Sequence, residues 1–524
     1  MPSVVVVGGG PVGLYAGAVL GCAGVETVVV ERNEGVRSHG GATHLAGEVL
    51  QLLVGLGLER FPKESTMPKP DFHCYKHGKK ATGCRGDMVF SVPNERGPCG
   101  GLPAVSMIYQ GELEAALLRR CLELPSVEVK FSCEVTGIRE EENGVVVELA
   151  RLGELRAAYV VAADGAKSEC RTRLGVRVED LDPGKYDFLI YDLLLKKEQK
   201  PESYLLCDAE RPIAYFPMPG RKGRFGLWLV PGETIEGMLE EEAAAEFLKT
   251  NFDLVHHEDY EFDRRAPYRL RHRVASELAT RRTFFVGDAA QVMGPFMGQG
   301  LNQGLRAATN LAWKLCYALD GTPAFLDTFD SEMRPSSIKA VKVTLASMHL
   351  FHTRARWKAV LRDWCVAPIA KNIIAPLAIH RTMRYAPSDL TAMPGAVVVS
   401  AKFPRAAGTV FIQPLLNSSA PILSFNNPRA FHFVGFDGID PLDLVDSIDR
   451  DRLENQLNTN FVSVRDDTLI EPDRLVVSEW RRLHKNPDLA IIRPDLYVFS
   501  TFRRSDLTSA LADLIRSRTP AAVN

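Results

Sequence analysis

The sequence predicts an α/β protein in which a parallel-sheet domain is interleaved with an antiparallel-sheet domain and followed by a smaller C-terminal α/β domain. Three observations lead to this prediction. The chain opens as strand, glycine turn, helix and strand in SVVVVGGGPVGLYAGAVLGCAGVETVVVERNE. Short strands and turns occupy residues 71–93 and about 187–268, for example in IAYFPMPGRKGRFGLWLVPGE. From about residue 394 onward, strand-like runs such as HFVGF and LAIIRP alternate with helical stretches.

The opening segment has the layout of a Rossmann-like dinucleotide-binding unit. Val4–Val7 form a wholly apolar strand, and Gly8, Gly10 and Gly13 follow at the turn into the helix. Gly8 allows the turn, Gly10 lets backbone N–H groups approach a pyrophosphate, and Gly13 allows close packing of helix on strand. Glu31 ends the second strand, where a carboxylate can accept hydrogen bonds from ribose hydroxyls. A glycine turn without any ligand is the alternative interpretation.

Two later strands also end in an acidic turn. One ends at Asp164-Gly165, and the other ends at Gly287-Asp288 before the loop QVMGPFMGQGLNQG and a long amphipathic helix. Between the first and second motifs, a helix is predicted to begin at Gln110, and VEVKFSCEVTGIREEENGVVVELA predicts a meander. The proline and the closely spaced glycines of this loop indicate that a ligand approaches the backbone of the third motif closely. Simple strand-ending turns remain the alternative.

Composition narrows the class of partner. The chain has 524 residues, and its 63 Lys and Arg balance 65 Asp and Glu, so no overall field favours nucleic acid or an anionic membrane. A small-molecule partner is expected. Ten cysteines occur without CxxC or metal-ligand spacing, which predicts buried thiols, no metal site and a reducing, cytoplasmic location.

No transmembrane helix is predicted. The apolar N-terminus is interrupted by glycines, and it lacks the basic region of a signal peptide. The longest later apolar stretch, Cys365–Ile379, contains a lysine and two prolines. It is shorter than a bilayer span of about 20 residues. An interfacial or homodimer-packing role for this stretch stays open.

The three motifs together resemble the FAD motifs of single-component (class A) FAD-dependent aromatic hydroxylases with the para-hydroxybenzoate hydroxylase fold. Within that group the chain is most similar to 3-(3-hydroxyphenyl)propionate hydroxylases, on LCDAERPIAYFPMPGRKGRFGLWLVPGE, GTVFIQP and LAIIRPDLYVFST. The resemblance implies an FAD-binding Rossmann-like domain with a helical extension (1–70, 94–186 and 269–393) and a substrate-binding sheet domain (71–93 and 187–268). It also implies a thioredoxin-like C-terminal domain (394–524). That domain has no cysteine, so it cannot be a dithiol redox centre.

The resemblance also implies a set of cofactor residues. Asp288 would accept from the ribityl or phosphate region, Asp164 would lie near FAD and the incoming NAD(P)H, and Pro295 would place its backbone against the flavin ring. The N–H groups of Leu301 and Asn302 would face the pyrimidine edge, where negative charge accumulates on reduction. The full set is Gly8, Gly10, Pro11, Gly13, Glu31, Arg32, Gln110, Asp164, Asp288, Pro295, Gly300, Leu301 and Asn302. Gly298, Gly300 and Gly304 would keep side chains out of the path of the flavin.

The implied reaction is reduction of FAD by NADPH or NADH, capture of O2 as the flavin C4a-hydroperoxide, and hydroxylation of a phenolic or other aromatic small molecule. A water-free pocket is then required. Its candidate lining residues are Tyr215, Phe216, Met218 and Trp228, although each of them could equally be ordinary core. His44 is a candidate for moving the phenolic proton, with a structural histidine as the alternative.

One departure from the family concerns its usual Pro-Arg-Ala. This chain has Gly40-Gly41-Ala42, and Gly41 stands where the arginine that serves FAD and NAD(P)H is expected. The positive charge would then come from elsewhere, for example His44, Arg37 or an arginine of the second domain. A flavin-binding protein impaired in reduction is therefore one alternative. A Baeyer-Villiger or epoxidising monooxygenase on the same fold is another, because the sequence indicates the oxidant better than the acceptor atom. A flavin disulfide reductase is disfavoured because Cys22 stands alone after the first helix.

Overall fold

The computed structural model describes residues 1–37, 41–75, 88–92, 102–197, 202–209, 211–252, 254–351, 353, 355–362, 428–464, 481, 486–508 and 511. Gly40, the apolar stretch 365–379 and the segment GTVFIQP (408–414) lie outside these residues. The strands are β1 (Val4–Val7), β2 (Thr27–Val30), β3 (His44–Ala46), β4 (Thr66–Pro68), β5 (Phe72–Tyr75), β6 (Met88–Val92), β7 (Val105–Ile108), β8 (Val127–Lys130), β9 (Val135–Glu141), β10 (Gly144–Leu149), β11 (Gly153–Ala157), β12 (Tyr159–Ala162), β13 (Val178–Leu195), β14 (Ser203–Leu206), β15 (Ile213–Met218), β16 (Lys222–Trp228), β17 (Tyr260–Ala275), β18 (Thr283–Phe285), β19 (Gln291–Val292), β20 (His432–Gly435), β21 (Asn460–Ser463), β22 (Leu489–Ile492) and β23 (Val498–Phe502).

The helices cover the sheets and connect them. They are α1 (Pro11–Cys22), α2 (Gly47–Gly55), α3 (Phe61–Glu64), α4 (Gln110–Glu123), α5 (Glu169–Arg173), α6 (Ile235–Leu239), α7 (Glu241–Phe252), α8 (Gln299–Leu319), α9 (Phe329–Phe351), α10 (Arg356–Leu361) and α11 (Ser447–Leu457). Short 3₁₀ turns lie at Gly287–Ala289, Phe296–Gly298, Pro323–Thr328, Pro441–Leu444 and Arg504–Asp506. Within the described part of the chain, none of these helices has the length and apolar character that crossing a bilayer requires.

A five-stranded parallel sheet forms the centre of the first half of the chain. Its order is β18-β12-β1-β2-β8, with β1 in the middle. All four β1 side chains are buried, as expected for a parallel strand covered on both faces. Helix α4 begins at Gln110 as the sequence predicts. The three acidic motifs follow β2, β12 and β18, so they meet at the carboxyl edge of one sheet.

The predicted meander is only partly correct. Residues Val135–Glu141 and Gly144–Leu149 form an antiparallel hairpin, and β11 completes that sheet. Val127–Lys130, however, pairs in parallel with β2 at the edge of the main sheet. The apolar pattern of Val127–Lys130 fits either the meander or the edge of the parallel sheet. The pattern therefore does not predict which strand Val127–Lys130 pairs with.

An eight-stranded mixed sheet faces the parallel sheet, in the order β19-β17-β13-β16-β15-β14-β5-β6. Its longest strands, β13 and β17, pair antiparallel along most of their lengths. One face packs against α7 through Tyr191, Phe225 and Phe247. Strand β15 pairs with β16 so that Phe216 lies opposite Arg224 and Ala214 opposite Gly226. These two pairs occupy the other face, which is turned toward the cofactor motifs.

The described part of the C-terminal region forms a separate four-stranded sheet of order β21-β20-β22-β23. Strand β20 runs parallel to β21 and antiparallel to β22, and β22 runs antiparallel to β23. The outer half of α8 packs on this sheet, with Trp313 and Tyr317 in one apolar cluster with Phe431 and Phe499. The confirmed architecture is thus an α/β fold that carries these sheets.

A buried ionic cluster fixes the contact between α8, α9 and the C-terminal sheet. Arg493 donates to both carboxylate oxygens of Glu332 at 2.8 and 2.9 Å and also bonds to Asp495 at 2.6 Å. Lys314 donates to Glu332 at 2.8 Å, and Asn310 donates to Asp495 at 2.9 Å. These five side chains are at most 4% exposed, so the charges neutralise one another away from water.

Candidate active site

A cavity of about 550 Å³ lies between the parallel sheet, the eight-stranded sheet and the start of α8. Every residue that the sequence predicts to hold the cofactor lines it, with the exception of Gly13. A Cβ on Gly13 would lie 1.9 Å from the Gly8 carbonyl oxygen, so this position serves helix-on-strand packing. Segments far apart in the chain are therefore brought to one place.

The first motif presents an uncapped helix N-terminus to the cavity. Helix α1 has Gly10 as its N-cap and Pro11 in its first turn, with neither a side-chain cap nor an acidic residue there. Its free N–H groups and the helix dipole favour an anion at this end. Gly8 has a φ of +108°, and a Cβ there would lie 2.4 Å from the Ala163 carbonyl oxygen. Gly8 therefore permits the turn and its close packing against the backbone at Ala163, and it lines the cavity beside the open helix end.

Glu31 is held at the end of β2 by backbone donors. Its carboxylate accepts from Gly9 N–H at 2.7 Å and from Asn33 N–H at 2.9 Å. Oε1 also accepts from the Asn33 side-chain amide at 2.5 Å, so Oε2 is the oxygen that keeps a lone pair for a further donor. Glu31 and Arg32 both line the cavity, so a ribose and an adenine can lie beside them.

Asp164 offers an unused acceptor. One carboxylate oxygen accepts from Cys170 N–H at 3.0 Å. The other, Oδ1, is buried and has no hydrogen-bond partner among the described residues. Leaving such an atom unpaired costs free energy, so its position at the cavity wall fits a ligand that donates a hydrogen bond.

Asp288 points into the cavity from the 3₁₀ turn after β18. Enclosure by protein raises the pKa of its carboxyl to about 6, and the Arg37 guanidinium acts in the opposite direction. Tyr268 lies nearby, and burial followed by the charge of Asp288 raises its pKa to about 12. Its phenol therefore stays protonated at neutral pH and can donate a hydrogen bond.

The N-terminus of α8 is a second uncapped end. Gly298, with a φ of +63°, is the N-cap, and the first turn contains neither a side-chain cap nor an acidic residue. Asn302 ties this turn to β3, because its side chain accepts from Ala46 N–H at 2.9 Å and donates to the Gly298 carbonyl at 2.6 Å. Pro295, Gly300 and Leu301 also line the cavity. This end can stabilise negative charge on a ring placed against it.

The three glycines of this loop have different functions, which corrects the expectation that all of them clear the path of a ring. A Cβ on Gly298 would lie 2.7 Å from the Cβ of His44, and one on Gly304 would lie 2.7 Å from Val12. Both positions therefore permit packing within the protein. A Cβ on Gly300 would have no atom closer than 3.9 Å, and Gly298 and Gly300 both line the cavity.

The second half of the cavity is apolar and aromatic. Phe216 lines it, and its ring stacks on Phe72 with centroids 6.1 Å apart. The other three predicted pocket residues do not line it. Tyr215 lies on the opposite face of β15, as strand alternation requires. Met218 packs on Met107, and Trp228 packs on Phe188, beyond the two ends of the cavity.

His44 stands between the two halves. Its Nδ1 is 2.7 Å from the Thr43 hydroxyl, and its ring meets the Phe216 ring edge-on at 4.8 Å. Burial, followed by the charges of Lys69 and Arg224, lowers its pKa well below 6.5. The ring is therefore neutral at pH 7 and can accept or relay a proton, but it supplies no positive charge.

Gly41 has no space for a side chain. A Cβ there would lie 2.2 Å from Oε1 of Gln110, which accepts from Ala42 N–H at 2.5 Å. The Gln110 amide also donates to Glu114 at 2.7 Å. Arg224 of the second sheet reaches across and donates to the Gly41 carbonyl. Arg224 thus brings a guanidinium from the eight-stranded sheet to the backbone at Gly41.

Sequence reasoning missed Arg224, Tyr268 and Lys69, which all line the cavity. Arg224 left one signal. In KGRFGLW it alternates with Gly223 and Phe225, which places a guanidinium on the face opposite the apolar core. It is paired there with buried Asp192 at 2.6 and 2.8 Å. The other two left no local signal.

Comparison with known proteins agrees with this geometry. The family described as FAD binding domain matches residues 1–344. The chain belongs to this family. Curated relatives from Escherichia coli O157:H7 and Shigella sonnei, both 3-(3-hydroxy-phenyl)propionate/3-hydroxycinnamic acid hydroxylases, are 27% identical over 95% of this chain and 91% of theirs. This member of the FAD binding domain family is an FAD-dependent monooxygenase, so the predicted cofactor and enzyme class are confirmed.

Solved structures share the fold. The flavin-dependent monooxygenase PieE, in complex with FAD and substrate, aligns with a TM-score of 0.77 and 18% identity over 98% of both chains. Aklavinone-11 hydroxylase, in a ternary complex with FAD and aklavinone, aligns with a TM-score of 0.74 and 20% identity over 98% of this chain and 99% of that one. The uncapped helix ends, the unpaired Asp164 oxygen and the open glycine backbone fit FAD in this FAD binding domain protein.

Proposed function

We propose that this FAD-dependent monooxygenase hydroxylates a phenolic or other aromatic small molecule in the apolar half of the cavity, with NAD(P)H as electron donor. The observation that carries the proposal is the continuity of the cavity. The same space is lined by the three cofactor motifs and by the aromatic side chains of Phe72 and Phe216. Relatives that act on 3-(3-hydroxy-phenyl)propionate or 3-hydroxycinnamic acid support an aromatic acceptor.

Each cofactor residue has a proposed part. The α1 N-terminus at Gly10 and Pro11 faces the pyrophosphate, and Glu31 faces the ribose. Asp164 and Asp288 face the ribityl and phosphate region. The remaining members of the set contribute backbone contacts or adjoining surface: Gly8, Arg32, Gln110, Pro295, Gly300, Leu301 and Asn302. The chemistry that bound FAD would supply is two-electron transfer from NAD(P)H and the activation of O2.

The protein controls charge and water around that chemistry. The α8 N-terminus stabilises negative charge on the reduced ring by about 0.3 to 2 kcal/mol. The aromatic walls keep water from the oxygen-transfer step. His44, neutral and bonded to Thr43 through Nδ1, receives or relays the phenolic proton through its other nitrogen.

Arg224 places a guanidinium beside Gly41, which has no side chain of its own. Its guanidinium is fixed by Asp192 and bonds the Gly41 carbonyl, so it is held at the same stretch of backbone as the missing arginine. This arrangement argues against the alternative of a flavin-binding protein impaired in reduction. Rapid mixing of the FAD-loaded enzyme with NADPH is expected to bleach the flavin, and Arg224→Met is expected to slow that bleaching.

The deciding experiment is a screen of phenolic acids for stimulated NAD(P)H oxidation, with the products identified by mass. A hydroxylase adds one oxygen to the ring and leaves the carbon skeleton intact. A ring-expanded lactone or an epoxide would establish the Baeyer-Villiger or epoxidising alternative. NADPH oxidation that yields only hydrogen peroxide with every aromatic tested would contradict the proposal.

We also propose the domain division predicted above, with an FAD-binding domain at 1–70, 94–186 and 269–393 and a substrate-binding sheet domain at 71–93 and 187–268. The region 394–524 is proposed to be thioredoxin-like. The order β21-β20-β22-β23 and its strand directions support that fold. Without a cysteine beyond Cys365, it serves packing rather than dithiol chemistry.

A cytoplasmic location and a homodimer complete the proposal. All seven cysteines in the described residues are free thiols, which suits a reducing compartment. Around α10, the side chains of Trp357, Val360 and Leu361 are 67%, 57% and 51% exposed. Sedimentation of the purified protein tests the dimer, and a Trp357→Glu variant is expected to sediment as a monomer.

A further inference from the structure

Lys69 is the one group in the apolar half of the cavity that carries positive charge without a counter-ion. It follows β4 and leads into β5, and its backbone N–H bonds to the Val105 carbonyl at 3.0 Å. Its ammonium nitrogen lies 4.4 Å from the centroid of the Phe72 ring. Phe72 stacks in turn on Phe216, which contacts His44. The ammonium therefore stands at the end of a row of rings that walls the pocket.

The charge of Lys69 is not neutralised by the protein. No carboxylate of the described residues forms an ion pair with it, whereas Arg224, which also lines the cavity, is held by Asp192. The ionisable group that acts on it favourably is the Cys74 thiol, and burial raises the pKa of that thiol well above 9. The thiol is thus uncharged at neutral pH. Burial lowers the pKa of Lys69 to about 8, so most of it remains charged at pH 7.

A positive charge against low-dielectric walls is unfavourable unless an anion joins it. The acidic residues that line the cavity belong to the cofactor half, for example Glu31, Asp164 and Asp288. In the other half the walls are Phe72, Phe216, Leu205 and Ala214. An aromatic ring can lie along these walls, and only an anionic substituent on that ring can pair with the ammonium.

We infer that Lys69 binds an anionic oxygen of the aromatic substrate, either a carboxylate or a phenolate, and thereby selects acidic aromatics and sets which ring position faces the flavin. This inference rests on the proposed function, because it concerns the substrate of the same cavity. It deepens that proposal by naming the recognised group and the residue that recognises it.

The test is an equilibrium binding titration of the FAD-loaded full-length enzyme without NADPH. Binding is measured as a change in the flavin absorbance. The probes are hydroxybenzoates, hydroxyphenylacetates and 3-(3-hydroxyphenyl)propionate. Each is compared with its primary amide, which removes the carboxylate, and with its methyl ether, which removes the phenol. The variants are Lys69→Met, Lys69→Arg and, as a matched control, Lys63→Met on exposed α3.

Wild type and Lys63→Met are expected to bind at least one acid more tightly than its amide, or one phenol more tightly than its ether. In Lys69→Met that preference should fall by roughly 10- to 100-fold, the effect of losing one charge-assisted hydrogen bond. Lys69→Arg should retain most of it. The pair of probes whose preference disappears identifies the anion as carboxylate or phenolate.

Three results would overturn the inference. The first is a wild-type enzyme with no preference for any anionic probe. The second is a Lys69→Met variant that binds charged and neutral probes equally more weakly. The third is a Lys69→Met variant with a raised KM for NADPH and unchanged probe binding. Product analysis separates this inference from the proposed function. Oxygenated product with no Lys69-dependent preference would remove the inference alone, whereas such a preference without oxygenated product would remove the proposed function alone.

Discussion

At the scale of single residues, the departure at Gly41 is coupled to its neighbours. The side chain of Gln110 fills the space next to Gly41, and Arg224 bonds the Gly41 carbonyl. Three positions therefore depend on one another. The backbone at Gly41 is thus contacted by a glutamine of α4 and by a guanidinium of the eight-stranded sheet.

Gly41→Ala is predicted to destabilise the protein. The new Cβ must displace Gln110 and break its bond to Ala42, at a cost of about 1 to 3 kcal/mol in the free energy of unfolding. Urea unfolding without FAD measures it. Gly35→Ala is the control, because no atom lies within 4 Å of a Cβ there. Gln110→Ala in the Gly41→Ala background should recover part of the loss, and equal stability of the two glycine variants would contradict the prediction.

His432 gives a prediction about pH. It is 2% exposed on β20, and burial lowers its pKa from 6.5 to about 4. The unfolded chain therefore binds a proton that the folded chain does not, so stability falls as pH falls from 6.5 to 4. This residue contributes about 3 kcal/mol to that fall. His432→Gln should flatten the dependence of unfolding free energy on pH in this window and leave the two curves parallel above pH 6.5. Identical slopes below pH 6.5 would refute it.

A site residue could be predicted where the local sequence around it has a recognisable pattern. Gly8, Asp164 and Asp288 sit at strand ends with a distinctive local pattern, and the fold brings them to one cavity. Lys69 has no such pattern. Its proposed role depends on Phe72 beside it and on the lack of an ion-pair partner among the described residues, and both depend on tertiary packing.

At the scale of elements, strand register decided what sequence alone could not. The alternation along β15 puts either Tyr215 or Phe216 toward the cavity, and nothing local selects between them. Pairing with β16 resolves the choice, because it sets Phe216 opposite Arg224. In the same way, Val127–Lys130 joined the parallel sheet because β2 offered it an open edge. The type of each element was predictable, but its partner was not.

The start of α8 carries a prediction about redox chemistry. An acidic side chain in its first turn would oppose the negative charge that the reduced flavin places there. Asn302→Asp is therefore predicted to lower the FAD reduction potential by roughly 10 to 40 mV. Spectroscopic titration against a reference dye measures it.

Asn302→Ala serves as the control, since it loses the bond to Ala46 N–H without adding charge. It should reduce stability while changing the potential less than Asn302→Asp does. If the two variants shifted the potential equally, the helix end would not be the source of the effect.

At the scale of the whole molecule, the C-terminal sheet is joined to the FAD-binding half through the ionic cluster around Glu332. Arg493→Met leaves Glu332 and Asp495 with Lys314 as their remaining cation, all of them buried. The predicted loss is about 3 to 5 kcal/mol in the free energy of unfolding. Urea unfolding, followed by both tryptophan fluorescence and FAD release, measures it.

Arg139 offers a matched control because it also contacts three carboxylates, those of Glu141, Glu148 and Glu154. Its side chain is 42% exposed, so solvent screens its ion pairs, and Arg139→Met should destabilise the protein far less than Arg493→Met does. Equal losses in the two variants would show that enclosure of the Glu332 cluster adds nothing.

Helix α8 begins at the wall of the cavity and ends against the C-terminal sheet, a span of about 32 Å at 1.5 Å per residue. The contact between the FAD-binding half and the C-terminal sheet consequently runs along α8. It does not coincide with the proposed domain boundary in the sequence. Anyone building chimaeras between related enzymes would have to carry Asn310, Trp313, Lys314 and Tyr317 along with the C-terminal region. A chimaera that takes these four residues from the other enzyme would place unmatched side chains between α8 and the C-terminal sheet, on the same helix that begins at the cavity.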